Sequence, residues 1–472
     1  MTKILETVNH LVWGIPTLLL ILGVGLWISI RTGWIQLTCF PRALRNFIGK
    51  FCASKESGDG ISAYQALCTA LAATVGTGNL AGVAGAIAVG GPGSIFWMWI
   101  CGILGMVTKY AEATLAVRYR VRTPEGEWVG GPMYMIQNGM GKRWTWLASV
   151  YCFFGVVAAF GVGNATQVNA VVAGINSALL AVGLQESVTV NMGIGIVLAV
   201  LVARMLSGGA KRIGTIAEKL VPFAAIAYLF LAVGVLVARA EAVPAAFSMI
   251  FHGAFSPKAV TGGIIGSTFC ALRTGASRGV FTNEAGMGTA SIAHAAAEVE
   301  HPAEQGLMGV MEVFLDTIVI CTVTALVILC SGVDIPYGED VGAVLTADAF
   351  SLVYGNWVCI PIALALCCFA VATILGWGLY GTRCAQFLLG ESAWKPFVVL
   401  QTLTVIVSTI LQTKTVWMLS ETVNGLMAIP NLVALVVLSP ELFRITGEYK
   451  QILAETSANG GTYENFNQCK PL

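Results

Sequence analysis

Eleven apolar runs, each long enough to cross a lipid bilayer, recur along this chain of 472 residues: near 12–30, 62–89, 93–117, 147–182, 189–206, 214–238, 257–277, 306–331, 357–388, 395–411 and 415–438. A helix needs about 20 mostly apolar residues to cross roughly 30 Å of hydrocarbon. Backbone groups in lipid must be satisfied within the segment, so the runs are expected as helices. The alternating pattern of a β-barrel is absent. Charged residues are 11% and hydrophobic residues 56%, where a soluble domain carries about 25% charge. That excludes a soluble enzyme, a nucleic-acid binder and a disordered protein. Lys+Arg 26 against Asp+Glu 25 leaves a net charge of +1, so no polyanionic partner is implied. Most of the 13 cysteines lie inside apolar runs without a C-x-x-C, and read as small apolar fillers. The first run is too long for a signal-peptide core and has only Lys3 before it, so it reads as a retained span.

Basic residues orient such a chain. Arg31, Arg42, Arg45, Lys50 and Lys55 separate the first two spans. Arg118, Arg120, Arg122, Lys142 and Arg143 follow the third, and Lys211, Arg212 and Lys219 follow the fifth. Arg444, Lys450 and Lys470 lie in the tail, whereas the alternate loops 90–92, 183–188 and 332–356 hold no Lys or Arg. The expected orientation in the plasma membrane is N-terminus outside and C-terminus cytoplasmic, as an odd span count requires. Trp34–Phe51 mixes apolar and basic residues and is expected as a helix on the inner leaflet. Residues 455–472 read as a loose tail.

Two spans are weak in the middle. The second reads A-L-A-A-T-V-G-T-G-N-L-A-G-V-A-G-A-I-A, with Gly76, Thr77, Gly78 and Asn79 near its centre. Gly costs about 1 kcal/mol against Ala within a helix, and Thr and Asn compete for backbone hydrogen bonds. Local unwinding is one reading; a packing face of small residues, Gly78-x-x-x-Gly82, is the other. The seventh span carries Gly262, Gly263, Gly266, Ser267 and Thr268 inside an apolar run. Spans two to six and seven to eleven form two sets of five, and a weakened helix opens each. Five spans per set make the second set inverted, which is the pattern of a secondary transporter with its site at the two breaks. At the first break, the carbonyl end of one half-helix suits a cation such as Na⁺. The N–H end of the next suits a carboxylate.

The stretches G-D-G-I-S-A-Y-Q-A-L and A-A-T-V-G-T-G-N-L-A-G-V-A (58–84), G-G-P-M-Y-M-I-Q-N-G (130–139) and R-G-V-F-T-N-E-A-G-M-G-T-A-S-I-A-H-A-A-A (278–297) closely resemble the alanine or glycine:cation symporter family. The run E-V-F-x-D-T (312–317) is similar too. The resemblance implies an all-α polytopic membrane protein of about eleven spans, with a LeuT-type 5+5 inverted repeat preceded by one peripheral helix. The corresponding divisions are 1–56 (peripheral and surface helices), 57–240 (first repeat), 241–445 (second repeat) and 446–472 (tail). It also implies symport of alanine or glycine with Na⁺ as the travelling ion. Carried over, the G-T-G-N motif places the substrate carboxylate against Thr77, Gly78 and Asn79. A LeuT-type Na⁺ site would use Thr373 with the carbonyls of Thr74 and Gly76. Thr373 as an ordinary helix threonine bonded to its own backbone is the alternative. Trp377, one turn on, and Thr268 and Phe269 of the second weakened helix are candidate walls of the pocket.

Other polar residues lie at membrane depth. Asn164, Gln167 and Asn169 are unsuited to lipid. Asn164 or Gln167 would meet the substrate amine; interhelical hydrogen bonding is the slightly favoured alternative. Glu312 and Asp316 share one helix face and are read as a structural ion pair with Arg273, in preference to a proton relay. Lys109 and Glu112, three apart, read as a local helix pair. His294, Glu298 and His301 read as a solvated cytoplasmic face. Segment 278–297 is expected as an inner gate, with Arg278, Asn283 and Glu284 making closed-state contacts. No motif for ATP hydrolysis or covalent catalysis is present. The partners implied are a small amino acid and the lipid bilayer, with no nucleic acid and no obligate protein partner. The rival functions are an H⁺-coupled carrier, an intramembrane enzyme, and a channel or receptor.

Overall fold

A computed structural model describes residues 7–9, 12–52, 60–181, 183–261, 267–339, 342–410 and 413–458. Gly262, Gly263, Gly266 and most of the expected tail lie outside the described residues.

The first span is helix α1 (Ile15–Arg31), opened by Pro16 in its first turn. The chain turns at Gly33 and Trp34, both with positive φ, into α2 (Phe40–Cys52), which carries Arg42, Arg45 and Lys50. A short strand β1 (Ile61–Ser62) leads into α3 (Ala63–Thr74). Ser62 and Gln65 form a reciprocal capping box that starts α3, as S-x-x-Q before an apolar run allows. After a break and a π-turn at Gly78–Gly82 the chain continues as α4 (Val83–Gly90), bent by 52° from α3. Helix α5 (Ser94–Arg118) returns and ends in a hairpin of β2 (Val121–Arg122) and β3 (Trp128–Val129). Arg120 and Arg122 lie over the Trp128 ring at 4.1 and 4.6 Å from its centroid.

The fourth span is α6 (Thr145–Phe160) and α7 (Thr166–Ala181), joined by a π-bulge over Gly161–Ala165. Helices α8 (Val188–Leu206), α9 (Gly209–Ala238) and α10 (Val243–Phe255) follow. Next come α11 (Thr268–Asn283) and α12 (Thr289–His294), and then strand β4 (Ala297–Glu298), which pairs with β1. Helix α13 (Pro302–Val313) runs through a π-segment at Phe314–Cys321 into α14 (Thr322–Ser331). The chain closes with α15 (Val344–Tyr354), α16 (Cys359–Leu389), α17 (Trp394–Ser408) and α18 (Thr413–Ala458).

Among the described residues, seven helices are long and apolar enough to cross a membrane, or eight if α3–α4 is one span. The expected spans near 12–30 and 395–411 are the shorter helices α1 and α17, and the described parts of 257–277 are helical at Pro257–Val260 and from Thr268 on, so about eleven passages is consistent with the structure. Helix surfaces confirm the solvent: Phe230 and Val237 on α9 are 78% and 72% exposed, as lipid permits. Polar groups turn inward instead. Lys109, Glu112, His294, Glu312 and Asp316 are all fully buried.

Helix α5 packs on α11 and α13, and α16 packs on α6, α7 and α9. Between these lie the two interrupted passages, α3–α4 and α11–α12, side by side and antiparallel: α3 touches α12, and α4 touches α11. The glycines at which the sequence placed the second interruption, Gly262, Gly263 and Gly266, lie outside the described residues. Ser267 is the N-cap of α11 and accepts from the Cys270 N–H at 3.2 Å, and α11 then runs unbroken to Asn283. The chain opens at 284–288, where Glu284, Gly286 and Gly288 have φ of 53°, 96° and 77°. The reason is local: Ser and Thr satisfy a helix start, while G-x-G supplies the left-handed conformations an abrupt opening needs.

Candidate functional site

Helix α3 ends at Thr74, and Val75 is extended, with φ −76° and ψ 108°. The Asn79 side chain then folds back. Its Oδ1 accepts from the Gly76 N–H at 2.8 Å, and its Nδ2 donates to Asp316 Oδ1 at 2.7 Å. Asn79 thus fixes the shape of the break and contributes through its backbone. Below it, the last carbonyls of α3 lack helical partners, as do the N–H groups of Thr77 and Gly78 that start the next half-helix, while the Asn79 N–H donates to Gly76 O at 3.2 Å. One end carries partial negative charge and the other partial positive.

Three other passages close on this point. Gly78 abuts α11, where an added Cβ would lie 3.0 Å from Thr282 Cγ2. A Cβ on Gly76 would lie 2.9 Å from Thr373 Oγ1 and 3.8 Å from Gln167 Oε1, so the bare backbone rests against both. Thr77 Oγ1 donates to Gln167 Oε1 at 3.3 Å. The Thr373 hydroxyl donates to Phe369 O at 3.0 Å, which leaves the lone pairs of a buried oxygen beside Gly76. That donor set of hydroxyl and carbonyl oxygens fits a hard monovalent cation. Trp377 shares the Thr373 face of α16 and presses on Gly163, where a Cβ would meet Trp377 Cβ at 2.2 Å. A cavity of about 280 Å³ reaches Thr77 from between α7, α15 and α16, with Asn169, Ser177 and Ile362 in its walls. Asn169 Nδ2 is buried there without a partner among the described residues; only its amide in a bulged helix signalled it in the sequence.

The second break is a different environment. Trp377 Nε1 donates to Glu284 Oε1 at 3.1 Å, and Thr289 Oγ1 donates to Glu284 Oε2 at 2.6 Å. Asn283 donates to Thr317 Oγ1 at 3.1 Å and accepts from the Ala285 N–H at 2.9 Å. Glu112 of α5 accepts from the N–H groups of Gly286 and Gly288 at 2.9 and 3.0 Å. The opened backbone is therefore filled by the protein's own carboxylates.

Several sequence expectations change. Glu312 and Asp316 do not pair with Arg273. Glu312 meets Lys109 Nζ and His294 Nε2, each at 3.0 Å, and Asp316 turns to Asn79. Arg273 lies in a cavity of about 400 Å³ with Phe269, Arg278 and Glu421. The true partner of Glu312 is 203 residues away on an antiparallel helix, a proximity that chain distance conceals. For the same reason Lys109 and Glu112 are not a local pair. His294 is buried and bonded to Gln305 through Nδ1 at 2.6 Å, so it is no solvated residue. Arg278 forms an ion pair with Glu421 of α18 at 3.0 Å. Thr268, half-buried, and Phe269, exposed, stand at the start of α11, away from the first break. Asn164 Nδ2 donates to Gln401 O at 2.8 Å, an interhelical bond, while Gln167 reaches the break.

Comparisons with known proteins identify the family and the fold. The family model described as the sodium:alanine symporter family matches residues 1–461. An uncharacterized transporter of Haemophilus influenzae is 42% identical over 96% of each chain. The sodium/alanine symporter AgcS of Methanococcus maripaludis is 40% identical, over 97% of this chain and 99% of its own. The crystal structure of MhsT in complex with L-phenylalanine superposes with a TM-score of 0.56 at 14% identity, covering 82% of this chain and 99% of that one. At that identity the likeness concerns the fold alone, and the fold is LeuT-type. The chain is a transporter rather than an enzyme, and it belongs to the sodium:alanine symporter family.

Proposed function

We propose that this protein carries alanine, glycine or both into the cell together with Na⁺, by alternating access. The observation that supports this most is the break at 75–77, where Gly76 rests against Thr373 and Gln167 and a cavity ends on Thr77. The substrate carboxylate binds the N–H groups of Thr77, Gly78 and Asn79 at the start of the second half-helix. Gln167 takes the amine side, and Trp377 bounds the pocket beyond Thr373. Na⁺ binds the Thr373 hydroxyl and the carbonyls of Thr74 and Gly76. A net-neutral zwitterion suits this pocket, which contains no formally charged side chain of its own.

Residues 57–240 and 241–445 act as inverted halves around the two breaks, with 1–56 peripheral and 446–472 as the tail. The basic loops face the cytoplasm, which puts the N-terminus outside and the C-terminus inside. On that orientation Arg278 and Glu421 bar the outer path. Arg383 and Glu127, 2.8 Å apart, bar the inner one beside a cavity of about 440 Å³.

Uptake of labelled alanine and glycine into proteoliposomes, with Na⁺ replaced by K⁺ or Li⁺, tests the reading. Uptake driven by an inward Na⁺ gradient is expected. Equal uptake in K⁺, or uptake that collapses with a pH gradient alone, would sink it.

A further inference from the structure

Glu112 is fully buried in α5, and its two carboxyl oxygens are treated unequally. Oε1 accepts three hydrogen bonds: from Gly286 N at 2.9 Å, Gly288 N at 3.0 Å and Asn431 Nδ2 at 2.7 Å. Oε2 has no partner among the described residues, and neither does Oδ1 of the same Asn431. The amide orientation is fixed, because Asn431 Nδ2 also donates to Gly286 O at 2.9 Å. An ionised carboxylate shares its charge over both oxygens and draws donors to both. A carboxylic acid divides the labour: its carbonyl oxygen accepts and its hydroxyl oxygen donates. The arrangement at Glu112 is that of the acid. A hydrogen on Oε2, with Asn431 Oδ1 as its acceptor, would give both buried orphans a partner.

Charge balance points the same way. The titratable groups that act on Glu112 are Lys109 on its own helix, Glu312 on α13, Tyr151 on α6 and Tyr380 on α16, and through Lys109 and Glu312 they connect to Glu284 at the second break and His294 on α12. Helix α18 contributes the neutral Asn431. Lys109 is engaged with Glu312 at 3.0 Å, and His294 Nε2 donates to the same carboxylate at 3.0 Å. Glu112 makes no ion pair among the described residues. A buried carboxylate without its own cation escapes the cost by taking up a proton.

We propose that Glu112 is a proton-binding site. In this conformation it is the neutral acid, with Oε2–H donating to Asn431 Oδ1 while Oε1 holds the backbone of 286–288. Release passes the proton to water and leaves a carboxylate beside Glu284 and Glu312. The acid then loses its bond to Asn431, and the clamp on the second break weakens. The site is separate from the Thr373 cation position, and it does not depend on which solute is carried.

Infrared spectroscopy of the full-length protein in lipid nanodiscs at neutral pH tests this directly. The wild type is expected to show the carbonyl stretch of a protonated carboxylic acid, and Glu112→Gln is expected to lose it. The Gln amide offers the same acceptor and a donor for Asn431, so its thermal unfolding temperature should stay close to wild type. An identical acid band in both proteins, or none in either, overturns the proposal. Should Glu112→Gln fail to fold, Asn431→Ala keeps the carboxyl and removes its acceptor. Its acid band is expected to shift or vanish, and an unchanged band overturns the proposal. Binding of labelled Na⁺ provides the last arm. If Glu112→Gln binds one Na⁺ fewer than wild type, the cation at Oε2 is a metal ion and the proton assignment is wrong.

Discussion

The chain is opened twice, and the two openings are furnished in opposite ways. At 75–77 the surroundings are backbone, hydroxyls and the two amides of Asn79 and Gln167, and a cavity reaches Thr77. At 284–288 Ala285 and Met287 are buried, and the N–H groups point at Glu112 while Glu284 is tied to Trp377 and Thr289. Both places carry half-helix dipoles of similar kind. What differs is the occupant. Backbone freed inside a membrane has to be satisfied by something. Where the protein supplies carboxylates directly to the freed backbone the opening is a fixed joint; where it supplies only neutral backbone, hydroxyl and amide groups, the proposed ligand has room to bind.

That contrast can be broken at either side. The largest expected effect is at the charged one. Lys109→Met leaves Glu312 fully buried with only His294 beside it, and removing one partner of a buried pair costs about 3–5 kcal/mol. A marked fall in thermal unfolding temperature is expected, with most of it restored by adding Glu312→Leu. No fall would show that the second break does not rely on this network. Next is Gly76→Val at the uncharged side. Its first added carbon would sit 2.9 Å from Thr373 Oγ1, and a displacement near 1 Å at a binding centre can cost roughly a hundredfold. Sodium-driven uptake should drop to that extent with the fold intact by thermal unfolding. Uptake within a fewfold of wild type would place the ligand elsewhere. Thr373→Ala follows: loss of one oxygen ligand should raise the Na⁺ concentration for half-maximal uptake about tenfold, or about 1.4 kcal/mol. Unchanged Na⁺ dependence would reassign the cation site.

The first break was legible in the sequence because its signal is local. Gly76, Thr77, Gly78 and Asn79 all disfavour helix within an apolar run, and the structure bends by 52° there. The opening at 284–288 carries a weaker local signal. Composition marks Gly262, Gly263 and Gly266, which lie outside the described residues, whereas Gly286 and Gly288 sit in the segment 278–297 expected as an inner gate. The charged network was the least legible part. Lys109, Glu312 and His294 are joined across three helices, and Glu112 meets Asn431 from 319 residues away. A sequence shows which residues share one helix face. It does not show which faces of different helices meet, so Arg273 was chosen for nearness in the chain.

The smallest expected effect comes from the residue that touches both regions. Trp377 lies one turn from Thr373 on α16, is seated on Gly163 of the fourth span, and donates to Glu284 Oε1 at 3.1 Å. Trp377→Phe keeps most of the ring and removes that one N–H. A single hydrogen bond is worth about 0.5–1.5 kcal/mol net, so alanine half-saturation should rise by roughly two- to tenfold. The decisive measurement is the double-mutant cycle with Thr373→Ala. Contacting or networked positions depart from additivity by about 0.5 kcal/mol or more, and independent ones do not. Strict additivity would mean that the ligand-facing break and the carboxylate-held break operate separately. A clear departure would identify α16 as the element through which the fixed joint sets the geometry of the open one.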